Sequence, residues 1–500
     1  MSRRKHARRS RWWVQLASVA AVAAMVGATF LILRGASRPP ERDISAPRSP
    51  RPVTAHSFIP YADAAPLLNL DALASHAPAA LRGPNTQGRA AAWDRWVAHH
   101  NAAIRARLHS GDEDSAVNFW LFGTTFTSRP RATARELSLL GSPMEMEELL
   151  IGRLDDLVSA LAAPGSNERL QFVRRLLERR GIDLTTPAGQ ERARIFFVEA
   201  RERAIAERAR HKRALSEVAA ANSEAATLSA YATLYRDRGL SSDTSLSAAF
   251  ALDRTFAEMA SAGRLAAGSV TRVAIVGPGL DFTDKAEGYD FYPVQTIQPF
   301  AIVDSLLRHG LARAGGPRVT TFDISPRVNQ HLEAAHDRAL RGTPYVLQLP
   351  LAVDDPAHTW SRDLVDYWQR IGSRVGDEVV PLAAPPGAGH VRMRAVRIRP
   401  DVVSVVTPIE LNIVLERPAG PGFDERFDLV IATNILVYYG PFEQALALAN
   451  IATLLRPGGL LLSNSVLSPQ APFEPTAAMV TKVFWDQQAN GDTLFWYRRR

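Results

Sequence analysis

The chain has 500 residues, a length that suggests roughly three domains. Hydrophobic residues make up 46% and charged residues 22%, a globular balance that excludes wholesale disorder and fibrous repeats. The net charge of +8 is concentrated at the N-terminus, so no nucleic-acid partner is expected, and the absence of cysteine excludes disulfides, thiolate nucleophiles and zinc-thiolate or iron–sulfur sites.

Residues 1–11 form a basic segment with Arg3, Arg4, Lys5, Arg8, Arg9 and Arg11. Residues 12–33 carry no charge and, as a helix, would reach about 33 Å, enough for a bilayer core. Trp12 and Trp13 stand at one edge, where indoles favour the interface. The run is longer than a signal-peptide core and ends Phe30-Leu31-Ile32-Leu33-Arg34 instead of in small residues. An uncleaved transmembrane helix is therefore expected, which would make this a single-pass membrane protein. The positive-inside rule weakly favours a cytoplasmic N-terminus with the bulk of the chain on the other side, but the side stays open. Residues 34–66 contain Pro39, Pro40, Pro47, Pro50, Pro52, Pro60 and Pro66 and read as an extended tether.

From 67 to 265 the pattern is that of an all-α region. Glu147–Leu161 repeats apolar residues at three and four spacing; Asn167–Arg180 has an Asn cap and a Gly181 stop. Glu191–Ala221 is rich in Arg and Glu and reads as a solvated face with local ion pairs. His99 and His100 point to different helix faces and read as structural, and no metal-ligand spacing stands out.

At about 270 short apolar runs begin to alternate with helical patterns, the signature of βαβ units. The expected order is strand Thr271–Gly277, helix Ala301–Ala314, strand Arg318–Asp323, and a helix capped by Ser325 that ends near Gly342. An irregular insertion at 343–390 and a β-rich stretch Val391–Leu415 follow. Then come strand Phe427–Thr433, helix Pro441–Leu455 and strand Leu460–Ser465. A terminal hairpin would pair Val480–Asp486 with Thr493–Tyr497 across Asn490-Gly491.

Two strand ends carry chemistry. Val276-Gly277-Pro278-Gly279 ends the first strand in a turn that lets backbone approach a ligand closely. Phe282 stands where the dinucleotide fingerprint needs its third glycine, which disfavours NAD or FAD. Asp323 ends the second strand, where a carboxylate can accept both hydroxyls of a ribose.

The strand–Gly-x-Gly, strand–Asp, Phe427–Asn434, Leu455-Arg456-Pro457-Gly458-Gly459 and terminal hairpin, in this order, resemble the class I S-adenosylmethionine-dependent methyltransferases. Pro408–Val414 with Phe427–Tyr439 is similar to the chemotaxis-receptor methyltransferases. The resemblance covers about 270–500. It implies a Rossmann-like seven-stranded sheet ending in an antiparallel hairpin, with S-adenosylmethionine as cofactor and the methyl acceptor open. Gly277 and Gly279 would then line the methionine part, Asp323 the ribose, and Asn412 and Ile413 the adenine. Asn434 and Ile435 would face cofactor or acceptor, and Tyr438 and Tyr439 the acceptor. The family usually has an acid two residues before the first glycine. Here that residue is Ile275, and Asp281 or Asp284 is the candidate replacement. Glu443 and Asp284 are candidates for a base. The stretch from Gly279 to Asp323 is far longer than the about 20 residues of a compact unit. Its surplus, Asp281–Pro299, holds Phe282, Tyr289, Phe291 and Tyr292, either a lid or a plug. A cofactor made in the cytoplasm would favour a cytoplasmic location for the bulk of the chain, the opposite of the charge rule. The alternative function is a non-catalytic binding or scaffold protein on a degenerate methyltransferase fold, which a non-cytoplasmic location without cofactor supply would favour.

Overall fold

The computed structural model describes residues 29–30, 55–82, 86–129, 143–220, 235–236, 238–283, 289–352, 360–385, 387–388, 390–419, 426–467, 472–481 and 493–500. Most of the expected membrane helix at 12–33 lies outside them. Thr29–Phe30, at its end, are a two-residue strand pairing antiparallel with Gly387–Ala388. No helix among the described residues is long and apolar enough to cross a membrane. The tether expected over 34–66 ends early. β1 (Ala55–Phe58) pairs with a strand near residue 416, and α1 (Tyr61–Leu68) follows it, because His56–Ile59 can dock on a free strand edge once prolines thin out.

The helical region contains α2 (Thr86–Phe122), α3 (Pro143–Ala162), α4 (Glu168–Arg179) and α5 (Pro187–Ala220). Asn167 caps α4 as expected, its side chain accepting from the Arg169 and Leu170 amides. Along α5, Arg194 pairs with Asp155, Arg201 with Glu147 and Arg203 with Glu113. The last helix before the sheet, α6 (Leu246–Ser261), packs into the core of the α/β unit, so that unit starts earlier than residue 270.

The α/β unit is built on a seven-stranded sheet. In chain order its strands are β2 (Arg272–Val276), β3 (Arg318–Asp323), β7 (Val406–Glu410), β9 (Phe427–Ala432), β10 (Leu455–Ser463), β11 (Phe473–Val480) and β12 (Thr493–Arg499). Numbered one to seven along the chain, they lie in the order 3-2-1-4-5-7-6, with the seventh antiparallel to both neighbours. This is the doubly wound order with one antiparallel strand slipped in near the edge. β9 is buried along its whole length, as a central parallel strand must be. The flanking helices are α7 (Gln298–Arg308), α8 (Pro326–Leu340) and α10 (Pro441–Leu454).

The described part of the insertion at 343–390 is largely regular. β4 (Tyr345–Ala352), β5 (Gly376–Val379) and β6 (Val391–Ile398) form a three-stranded antiparallel sheet, with α9 (Arg362–Arg370) beside it. Pro350 had disguised β4; as an edge strand it tolerates a missing amide. β8 (Glu416–Ala419) is the strand that takes up β1. The first hairpin arm is Phe473–Val480, earlier than expected, and the Asn490-Gly491 turn lies outside the described residues.

Candidate functional site at the carboxyl edge of the sheet

β2 and β9 are parallel neighbours at which the strand order reverses, so their carboxyl ends open the switch crevice where α/β sheets bind ligands. Ile431 pairs with Ile275, which puts Thr433 beside Gly277. Gly277 and Gly279 both have φ of 67°, the left-handed region that glycine enters freely. Gly277 is half-buried and its amide donates to the Phe322 carbonyl at 2.8 Å, tying the turn to β3.

Asp323 is buried, 7% exposed, at the end of β3. Its Oδ1 accepts the Ser325 amide at 2.7 Å, and the Gly279 amide also donates to the carboxylate. Ser325 therefore begins α8 without a side-chain cap bond; its amide, not its hydroxyl, does the work. Burial pushes the Asp323 carboxyl up to about 7, against those two amides and nearby Arg327, which pull it down.

The crevice is crossed by the chain's own atoms. A Cβ on Gly277 would lie 2.3 Å from Ile435 Cδ1. A Cβ on Gly279 would lie 2.9 Å from Thr244 Cβ and 3.1 Å from the Ser242 carbonyl oxygen. Segment 242–244 adds to the turn like a strand: the Leu280 amide donates to Ser242 at 2.7 Å and the Thr244 amide to Leu280 at 2.9 Å. Asn434, with φ of 58°, is exposed, and its amide donates to Asn464 Oδ1 at 2.8 Å.

α2 runs over this edge. Asn101 accepts from Asn412 at 2.7 Å, Arg105 pairs with Glu410 at 2.5 Å, and His100 meets Glu443 at 2.6 Å. Further along, Arg107 donates to the carbonyls of Arg238 at 2.9 Å and Tyr438 at 2.8 Å, and lies over the Tyr439 ring. Ser115 donates to Asp243 at 2.8 Å. Beyond the helix, the hydroxyls and amides of Thr124 and Thr125 converge on the buried Asp290 carboxylate of the aromatic loop. Arg169 donates to the carbonyls of Phe282 and Tyr292. The described part of that loop is thus a docking joint to the helical region.

Gly277, Gly279, Asp323, Asn434 and Ile435 come together at the crevice; three expected residues do not. Asp281 turns inward, its Oδ2 accepting from the Tyr292 hydroxyl and Gln295, both at 2.9 Å. Asn412 folds into its own turn, accepting the Val414 amide while its amide donates to Glu416. Ile413 is in the core. Glu443 caps α10 through the Gly440 amide and holds His100; burial raises its pKa, but these bonds outweigh it and hold it below the usual range. It is a structural anion, unsuited to act as a base. Asp284 lies outside the described residues. The sequence reading missed Gln298, at the start of α7, and Arg107; their partners Thr433 and Tyr438 are more than a hundred residues away, and no local pattern marks them.

No family model matches the sequence, and no curated protein matches it. Among solved structures it is similar to the N-methyltransferase NodS of Bradyrhizobium japonicum WM9 with bound S-adenosyl-L-homocysteine, at 15% identity over 50% of this chain and 87% of that one, TM-score 0.24. It is similar also to magnesium protoporphyrin IX methyltransferase (ChlM) of Synechocystis PCC 6803 with bound SAM, at 13% over 51% and 81%, TM-score 0.23. A third is the glycopeptide N-methyltransferase MtfA with S-adenosyl-L-homocysteine, at 11% over 50% and 90%, TM-score 0.24. Superpositions this loose carry no weight for function.

Proposed function

We propose that the carboxyl edge of the sheet binds S-adenosylmethionine and that the chain is a methyltransferase of the class I fold. The observation that carries this is Asp323: a buried carboxylate at the end of the second strand, held ionisable beside a positive-φ glycine turn at the switch crevice. A carboxyl pushed up to about 7 is held in a costly place, and hydroxyl donors from a ribose would stabilise its charged form. The residues fit in part. Asp323 would hold the ribose and the Gly277 turn would let backbone approach, whereas Asn412 and Ile413 are committed elsewhere. Bound there, the sulfonium supplies an activated methyl group, whose in-line displacement depends chiefly on positioning. Arg107 of α2 holds the Tyr438 carbonyl and lies over the Tyr439 ring beside this edge. Glu443 is engaged by the Gly440 amide and His100, and the methyl acceptor stays open. Kinship with the chemotaxis-receptor methyltransferases rests on the Pro408–Val414 and Phe427–Tyr439 sequences alone, and membrane attachment on the composition of residues 12–33.

A second reading is favoured by the contacts at the glycines. Ile435 against Gly277, and Ser242 and Thr244 against Gly279, already account for the missing side chains. On that reading the domain is a non-catalytic binding or scaffold module. Calorimetric titration of the full chain with S-adenosylmethionine and S-adenosylhomocysteine separates the two. Binding that Asp323→Ala weakens by about 1–3 kcal/mol supports the enzyme. Absence of heat at millimolar ligand leaves the scaffold reading standing.

A further inference from the structure

Gln298 opens α7, the first helix after the glycine turn, and is 3% exposed. Its Nε2 donates to Thr433 Oγ1 at 3.1 Å, and Thr433 stands beside Gly277 in the crevice. Its Oε1 is buried and has no hydrogen-bond partner among the described residues. A buried acceptor without a donor calls for a reason. The start of α7 points the same way. Ile297 supplies no side-chain cap bond, and Pro299 in the first turn brings no amide hydrogen. The positive end of the helix therefore faces this edge with little of its own to satisfy it. An acceptor suited to a cation, next to a helix end suited to an anion, matches the zwitterion of an α-amino acid.

We propose that Gln298 accepts from the ammonium at the amino-acid end of the cofactor, with the carboxylate toward the α7 N-terminus; this rests on the cofactor reading above. It also answers a gap in the glycine motif. The position that would carry an acid is Ile275, fully buried in the sheet, and Asp281 is engaged by Tyr292 and Gln295. Gln298 reaches the crevice through its bond to Thr433. Ile435 lies over Gly277 at the same spot, so the amino-acid end enters as that side chain turns aside.

The test uses the full chain and two probes, S-adenosylhomocysteine and 5′-methylthioadenosine, which lacks the amino-acid end. Gln298→Leu should weaken S-adenosylhomocysteine about tenfold or more and leave methylthioadenosine within about twofold. Gln298→Glu, which keeps an acceptor and adds charge, should bind S-adenosylhomocysteine at least as well as the wild type. Equal loss of both probes in the Leu variant, loss of neither, or abolished binding in the Glu variant would overturn the assignment; the last would mean that the amide presents its nitrogen. If the wild type binds neither probe, the cofactor reading itself fails and this proposal falls with it, a result distinct from the other three.

Discussion

Asp428 and Asp323 sit at opposite edges of one sheet, near the start of β9 and at the end of β3. Asp428 takes the Thr271 amide at 2.7 Å, the Thr271 hydroxyl at 2.9 Å, the Arg272 amide at 3.0 Å and Arg456 Nε at 2.6 Å. Burial raises its pKa, but these donors outweigh it and the carboxyl lies below its usual value. Asp323 is enclosed more deeply and has two amides, and burial pushes it up to about 7. The amino edge has spent its charge on holding strands together. The carboxyl edge keeps a carboxylate under-solvated, together with a free Gln298 acceptor, where the strand order opens a crevice. A buried carboxylate and a buried amide oxygen that face one crevice are groups a polar ligand would complete.

The largest effect that would break this contrast is at Asp428. Asp428→Ala leaves two backbone amides and Arg456 without their acceptor and should cost about 3 kcal/mol at pH 7, read from urea midpoints. Ligand affinity should not change. Because the folded pKa of Asp428 is depressed, its contribution is present above about 4 and lost as pH falls through the folded value; variant and wild type should converge in acid. A loss that persists undiminished in acid would show the carboxylate charge to be unimportant.

Asp323 should behave in the opposite sense. Its folded pKa is raised, so its stabilising share is complete below about 4 and lost as pH rises to about 7. Asp323→Asn should therefore be more stable than the wild type by on the order of 2 kcal/mol at pH 8, with the gap closing toward pH 4, while binding S-adenosylhomocysteine less tightly. Melting curves at pH 5, 6 and 8 check the first part and calorimetry the second; a destabilised variant at pH 8 would make Asp323 a structural residue like Asp428.

The smallest effect sharpens the crevice itself. Ile435→Ala removes the side chain over Gly277 and should cost about 1 kcal/mol of stability, since Ile435 is only half-buried. Affinity for S-adenosylhomocysteine should rise severalfold as the entrance clears. Unchanged affinity would mean that Ile435 never stands in the way.

Local signals made much of the fold legible. β3 matches its expected bounds residue for residue, Asn167 caps its helix, and the ordered strand ends foretold the sheet. Long-range pairing hid the rest. Nothing near His100 announces Glu443, and nothing near Arg105 announces Glu410, so the cover laid by α2 could not be seen. Asn412 is tied to the adenine by resemblance alone; its local turn to Val414 and its distant partner Asn101 hold the side chain instead. The long aromatic loop obscured where α7 begins, and with it Gln298.

Phe282 follows the glycine turn by three residues, yet it belongs to the core of the helical region, edge-on to Phe119 at 6.0 Å and Phe172 at 5.0 Å. The turn is therefore anchored in a neighbour's interior. A fragment cut to the α/β unit alone would leave that ring in water and unmoor the backbone whose amide holds Asp323. The helices and the sheet should accordingly melt as one cooperative transition, and the crevice at the carboxyl edge should vanish with the loss of either.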